Sequence, residues 1–219
     1  MPKKPQKSSN PHSDQGIEKQ TVIYKPIEAI SGKTRFPEER LDGLSLNEGW
    51  QIFQGRQKEI DTWGTRLSAY MKKRHKNPRI IQHGKPSTRK VLEKLIASDT
   101  VYIHSHGNSG MIGLKPYCLD EMELAKRLES DGLPKENTPR LKIWACYSGE
   151  PKPWDAETTF AREVGKSLKE LGYSNFSIFG YRGKVLAIKN ARQKHKLVQD
   201  SKDENLIETA KKRRVGYDF

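Results

Sequence analysis

Cysteine is scarce in this chain: Cys118 and Cys146 are the only two among 219 residues. That is too few for a disulfide framework, and no CxxC occurs to hold a structural zinc of the usual kind. The scarcity leads us to expect a soluble protein of a reducing, cytoplasmic compartment. Long apolar runs are also missing, and none approaches the roughly 18 residues that a bilayer-spanning helix needs. The opening "MPKKPQKSSNPHSDQG" is basic but has no apolar core, so a Sec-type signal peptide is not expected. Zinc fingers, an aromatic RNA-binding signature and a phosphate-cradling GxxxxGK[ST] loop are absent as well. Negative charge is the last deficit: 41 Lys and Arg face 27 Asp and Glu, for a formal net charge of +14. Such an excess suits an anionic partner such as nucleic acid, an acidic membrane surface or a polyphosphate, or serves solubility alone.

What is present sorts into four stretches. Residues 1–20, rich in Pro, Ser, Lys and Gln, read as a disordered basic N-terminus. Residues 21–78 read as an extension: "TVIYKPI" as a strand or extended arm, then a long amphipathic helix from Trp50 to about Lys73. Its apolar positions Phe53, Ile60, Trp63, Leu67 and Tyr70 recur at helical spacing. Residues 79–198 alternate strands and helices, and residues 199–219 read as a basic tail ending in "KKRRVGYDF". Within the third stretch "RII", "TVYIHSHG", "LKIWAC", "FSIFGY" and "KVLAIKN" are strand candidates. "STRKVLEKLIA", "CLDEMELAKRLESDG" and "DAETTFAREVGKSLKELG" are helix candidates, the last with Asp155 as N-cap. This alternation predicts an α/β fold with a mostly parallel central sheet.

In such sheets functional groups gather just beyond the carboxyl ends of strands. Two candidates end strands there, His106-Gly107 in "IHSHG" and Ala145-Cys146 in "IWACYSG". One helix lies between them, as a crossover between neighbouring parallel strands requires. A cysteine attacks a carbonyl as its thiolate, which an adjacent imidazole can generate before protonating the leaving amine. The oxyanion formed needs backbone donors, and the amides of Gly107 and Cys146 are placed to supply them. Alternatives exist for each residue. His83-Gly84 is a second His-Gly pair but lacks the following small-residue loop "GNSG", so His106 is preferred. His104 and His106 form an H-x-H pair without a carboxylate cluster to complete a metal site, so no metal is expected. Cys118 reads as structural, and Cys146 as a plain buried thiol is the bland counterpart to the nucleophile.

The ordered strand-terminal motifs "VYIHSHG" and "LKIWAC" resemble those of the caspase-like (clan CD) cysteine peptidases. The helix "TTFAREVGKSLKELG" and strand "FSIFGYRG" that follow look most like the self-processing cysteine protease domains of bacterial toxins. The resemblance covers about residues 79–190. It implies a caspase-like three-layer sandwich and a cysteine endopeptidase with Cys146 as nucleophile and His106 as general acid/base. It also implies a use in self-processing or as a secreted effector delivered into a host cell. A flap after the "FSIFGY" strand would then put Tyr181, Arg182 and Gly183 beside a peptide or protein substrate. The caspase active-site pentapeptide is absent, so aspartate specificity is not implied.

Toxin self-processing domains are switched on by inositol hexakisphosphate, and the matching region here carries Arg182, Lys184, Lys189, Arg192, Lys194 and Lys196. These six are the expected polyanion-binding residues, with inositol hexakisphosphate as an activator and no cofactor required for the chemistry. The contrasting reading is a catalytically inactive peptidase fold that binds nucleic acid, anionic lipid or another polyanion through its basic surface.

Overall fold

The computed structural model describes residues 19–27, 46–74, 76–114 and 117–219. The expectation of a disordered N-terminus falls almost wholly outside them. In chain order the described elements are β1 (Thr21–Lys25), α1 (Leu46–Lys72), β2 (Pro78–Gln82), α2 (Pro86–Leu92), β3 (Thr100–His104), β4 (Ile112–Leu114) and β5 (Tyr117–Leu119). There follow α3 (Glu121–Ser130), β6 (Arg140–Trp144), β7 (Pro151–Lys152), β8 (Asp155–Thr159), α4 (Phe160–Glu170), β9 (Ser177–Tyr181), β10 (Lys184–Val185), β11 (Leu197–Gln199), β12 (Ile207–Thr209) and β13 (Arg214–Asp218). Six of these strands form one sheet in the order β13-β9-β6-β3-β1-β2, parallel except for β13. The expected α/β class with a mostly parallel central sheet is what the chain forms.

The two sides of this sheet bury different sets of side chains. On one side Val22, Tyr24, Val101, Ile103, Leu141, Ile143 and Ile178 pack against α2, α3 and α4, through residues such as Leu92, Leu124, Leu128, Phe160, Val164 and Leu168. On the other side Ile23, Tyr102, Trp144 and Tyr181 meet Leu67, Tyr70 and Met71 of α1, Val185 and Val198 of the small sheet β10-β11-β12, and Ile188 between β10 and β11. Period-2 alternation along each strand separates the sets.

Local signals account for the helix ends. Asp120 closes a capping box on α3: its side chain accepts the Glu123 amide at 2.7 Å, and its own amide donates to the Glu123 carboxylate at 3.0 Å. Gly132, at φ +88, ends that helix as expected. On α4 the cap is Thr159, whose hydroxyl accepts the Arg162 amide at 3.2 Å, and not Asp155. Residues 155–159 are instead β8, paired back on β7 in a hairpin before the apolar helical run begins. Cys118 lies in the short β4-β5 hairpin rather than at a helix start. Two further segments differ from expectation. β1, expected as a strand or arm of an extension, sits between β2 and β3 in the sheet itself. Residues 199–219, expected as a tail, carry β12 and the edge strand β13, where Val215 and Tyr217 alternate with exposed Arg214, Gly216 and Asp218.

Candidate active site

β3 and β6 are neighbours in register, with His104 opposite Trp144. His106 and Cys146 therefore stand two residues beyond matched positions on adjacent parallel strands. Alternation puts both on the α1 side of the sheet: Cys146 packs against the cluster of Tyr102, Trp144 and Val185, and His106 lies beside Trp63 of α1. Between them the backbones almost touch. A Cβ added to Gly107 would lie 2.9 Å from the Ala145 Cβ and 3.1 Å from the Cys146 carbonyl oxygen. Glycine after His106 and alanine before Cys146 are thus both demanded by one contact, since a larger side chain at either place would push the strand ends apart.

The loop carrying Cys146 is held stiffly. Tyr147 adopts φ +59, a left-handed conformation uncommon for a bulky side chain. Its amide donates to the Gly183 carbonyl at 2.8 Å, and the Gly149 amide to the Tyr181 carbonyl at 3.0 Å. Buried Ser148 ties the turn together, donating to the Ile143 and Ala145 carbonyls and accepting the Tyr181 amide at 3.1 Å. Gly180 has room for no side chain, because a Cβ there would sit 2.6 Å from the Ser148 carbonyl oxygen. Among the described residues, the amides of Gly107 and Cys146 donate to no backbone carbonyl.

The Cys146 and His106 side chains each meet other groups. The Cys146 thiol donates to the Val185 carbonyl at 3.8 Å, and burial pushes its pKa up, with nearby Lys184 acting in the opposite direction. His106 directs Nε2 toward Glu59 Oε2, 3.8 Å away, and its ring is 5.2 Å from that of Trp63. Burial lowers the His106 pKa, the Glu59 carboxylate opposes that shift, and Arg56 acts both ways, its charge lowering the pKa and its backbone carbonyl raising it. Near pH 7 both groups are neutral. No hydrogen bond joins them in this arrangement, so the protein brings the two strand ends together without engaging the side chains.

The rival residues go elsewhere. His83, at the end of edge strand β2, is separated from β6 by β1 and β3 and bonds Asp131 at 2.8 Å, which also accepts the Tyr24 hydroxyl. His104 is buried, driven by desolvation down to a pKa of about 4, with Nε2 3.3 Å from the Ile60 carbonyl of α1. It anchors α1 on the sheet. Among the described residues no group of three or more His, Cys, Asp or Glu is arranged to hold a metal ion.

The flap residues are mixed. Tyr181 is buried, edge-on to Trp144 with ring centroids 4.8 Å apart, so its side chain belongs to the core rather than to a substrate contact. Arg182 is exposed, and Gly183, at φ +102, lies against the Gln199 backbone. Of the six cations expected to gather around a polyanion, Arg182, Lys184, Lys189, Arg192 and Lys194 are exposed. Lys196 alone turns inward, its Nζ 4.1 Å from the centre of the Tyr102 ring and 4.8 Å from that of Trp144. There it meets cations that sequence reading did not single out. Lys142 of β6 also reaches the Tyr102 hydroxyl, at 3.5 Å, and Lys76 and Arg214 act on both lysines. Arg140 adds to the field at Lys142. Burial and then like-charge repulsion lower the Lys142 pKa to about 8 and that of Lys196 well below its ordinary value. Among the described residues none of these five cations is paired with a carboxylate. The alternation of β6 was the available signal: Lys142 falls on the same face as Trp144.

No protein-family model and no curated protein matches the sequence. Among solved structures, the chain is similar to caspase-1 from Spodoptera frugiperda at 14% identity and a TM-score of 0.31. The match covers 76% of this chain and 60% of that one. No function is taken from likeness at that level. Among the described residues no helix is long and apolar enough to cross a membrane.

Proposed function

We propose that the chain is a cysteine endopeptidase in which Cys146 is the nucleophile and His106 the general acid/base. The observation that supports this reading is the close approach of Gly107 to Ala145 and Cys146, which brings together the strand ends that carry His106 and Cys146. In the reaction the thiol exchanges the Val185 carbonyl for the His106 ring and gives up its proton. The thiolate adds to the scissile carbonyl carbon, and the Gly107 and Cys146 amides receive the oxyanion. Collapse breaks the C–N bond, and His106 protonates the departing amine. A water molecule, deprotonated by His106, then cleaves the thioester and restores the thiol. Replacing Cys146 with Ala should abolish cleavage of a denatured-protein or peptide-library substrate while circular dichroism is retained. A Cys146→Ala protein with full cleavage activity overturns the assignment.

The cations gathered around Lys196 support regulation by a compact polyphosphate such as inositol hexakisphosphate. The recessed position of Lys142 and Lys196 beside Tyr102 favours a small, dense anion over nucleic acid or a lipid surface, which would meet exposed charge instead. Neutralising Lys142, Lys196 and Arg214 would draw β6, β13 and the segment before β11 together beneath the Cys146 loop. Inositol hexakisphosphate should raise the melting temperature and the cleavage rate together, and Lys196→Met should remove both effects. If neither responds at saturating ligand, the regulation is refuted. If single-stranded DNA or anionic vesicles bind in its place and Cys146→Ala changes nothing, the non-enzymatic reading takes over.

A further inference from the structure

We propose that Glu59 is the positioning carboxylate of this site, orienting the His106 ring through Nε2 so that Nδ1 is left for Cys146. The inference rests on the Cys146–His106 reading above. Three features of α1 converge on the imidazole. Glu59 Oε2 stands 3.8 Å from Nε2, a nitrogen that is buried and has no hydrogen-bond partner among the described residues. The Trp63 ring, one helical turn on, lies 5.2 Å away at 56° and limits the planes the imidazole can take. The helix is held in place from below by His104, whose Nε2 meets the carbonyl of Ile60, the residue after Glu59. The H-x-H pair thus divides its labour: His104 sets α1 over β3, and His106 meets the carboxylate that this placement delivers.

Glu59 is 46% exposed, so its carboxylate can close the remaining ångström to hydrogen-bonding distance when His106 takes up a proton. A buried imidazole is disfavoured as a cation, and a carboxylate on its far nitrogen offsets that penalty at the moment the thiol is deprotonated. The charged and titratable groups facing His106 are Glu59 and Arg56 from α1, His104 from β3, which stays neutral, and the thiol of Cys146 on the β6 loop. The charges of Glu59 and Arg56 act in opposite directions, and this gives the test its sign, while the Arg56 backbone carbonyl, which acts with Glu59, is kept in both variants.

Glu59→Gln keeps the shape and removes the charge. It should lower kcat/KM about two- to fivefold, the range for a half-exposed ion pair, and move the acid limb of the pH–rate profile to lower pH. Arg56→Gln should move the limb to higher pH, and Glu59→Asp should largely restore wild-type behaviour. The His106 titration followed by NMR in the intact protein should fall by ~0.3–0.7 pH units in Glu59→Gln. An unmoved His106 titration and acid limb overturn the positioning role, and they leave the peptidase reading untouched if Cys146→Ala is dead. A cleavage-competent Cys146→Ala protein removes the peptidase reading, and the role with it, whatever the NMR titration shows.

Discussion

The same strands face two different interiors. Toward α2, α3 and α4, β3 and β6 present Val101, Ile103, Leu141 and Ile143, and the buried cluster there is almost purely apolar. Toward α1 and the small sheet they present Tyr102, His104, Lys142 and Trp144, and beyond their ends His106 and Cys146. The first side is packed as a core should be, and its buried hydroxyls are satisfied, Tyr24 by Asp131 and Tyr173 by the Leu133 carbonyl. The second side buries titratable groups whose charged forms are suppressed: His104 neutral, Lys142 depressed to about 8, Cys146 protonated. One face supplies stability, and the other carries ionisable groups at a cost to it, a division that places the candidate chemistry on the α1 side.

Breaking the apolar face should have the largest effect. Phe160, fully buried at the head of α4, should cost about 3–5 kcal/mol when replaced by Ala, measured by urea unfolding. Acid should strain the other face next. The folded-state pKa of His104 lies below its ordinary value of 6.5, so the unfolded chain binds the extra proton first. Stability is full above about pH 6.5 and falls as pH drops toward 4, by about 3 kcal/mol from this group alone. His106, also lowered, acts in the same direction. A urea midpoint that stays flat between pH 7 and 4 would contradict the burial of a neutral His104.

Smaller effects probe where the two strand ends meet. Gly107→Ala should cost about 1–3 kcal/mol through contact with Ala145, and it should change the rate of Cys146 alkylation more than a surface substitution of equal cost does. Last, Lys196→Met should raise stability by ~1 kcal/mol, because an apolar side chain of similar length replaces a charge crowded by Lys142, Lys76 and Arg214. Lost stability in that variant would mean that the ring contacts of Lys196 outweigh the repulsion.

The apolar face was legible in the sequence because every local signal agreed with the global fold. Leu124 and Leu128, or Val164 and Leu168, recur at helical spacing and face a sheet whose strands are apolar runs. The strand-terminal His106 and Cys146 were legible for the same reason, since strand, turn and glycine appear together. The α1 face was not. Lys142 sits inside an apolar strand, where a charge reads as a surface residue; alternation puts it on the face of Trp144, but only the pairing of β6 with β3 and β9 shows that this face is covered. Glu59 is one of many charged residues on an amphipathic helix, and its meeting with His106 depends on a helix-to-sheet register that no local pattern encodes. β13 was hidden by its own alternation: Arg214 and Asp218 dominate the composition of a strand whose other side packs Val215 and Tyr217.

The central place of β1 has a consequence for how the chain is made. Thr21 is in register with Pro78 on one side and Thr100 on the other, and Val22, Ile23 and Tyr24 are completely enclosed by those pairings. On a ribosome adding about 5–20 residues per second, β1 waits about 4–16 s for β3 to be synthesised. Until β2 is made an apolar strand stands with both edges unpaired, and until β3 is made with one, open to another chain. The nascent polypeptide, rather than the folded protein, is then the form most exposed to misassembly, and early chaperone capture near residues 21–25 would relieve it.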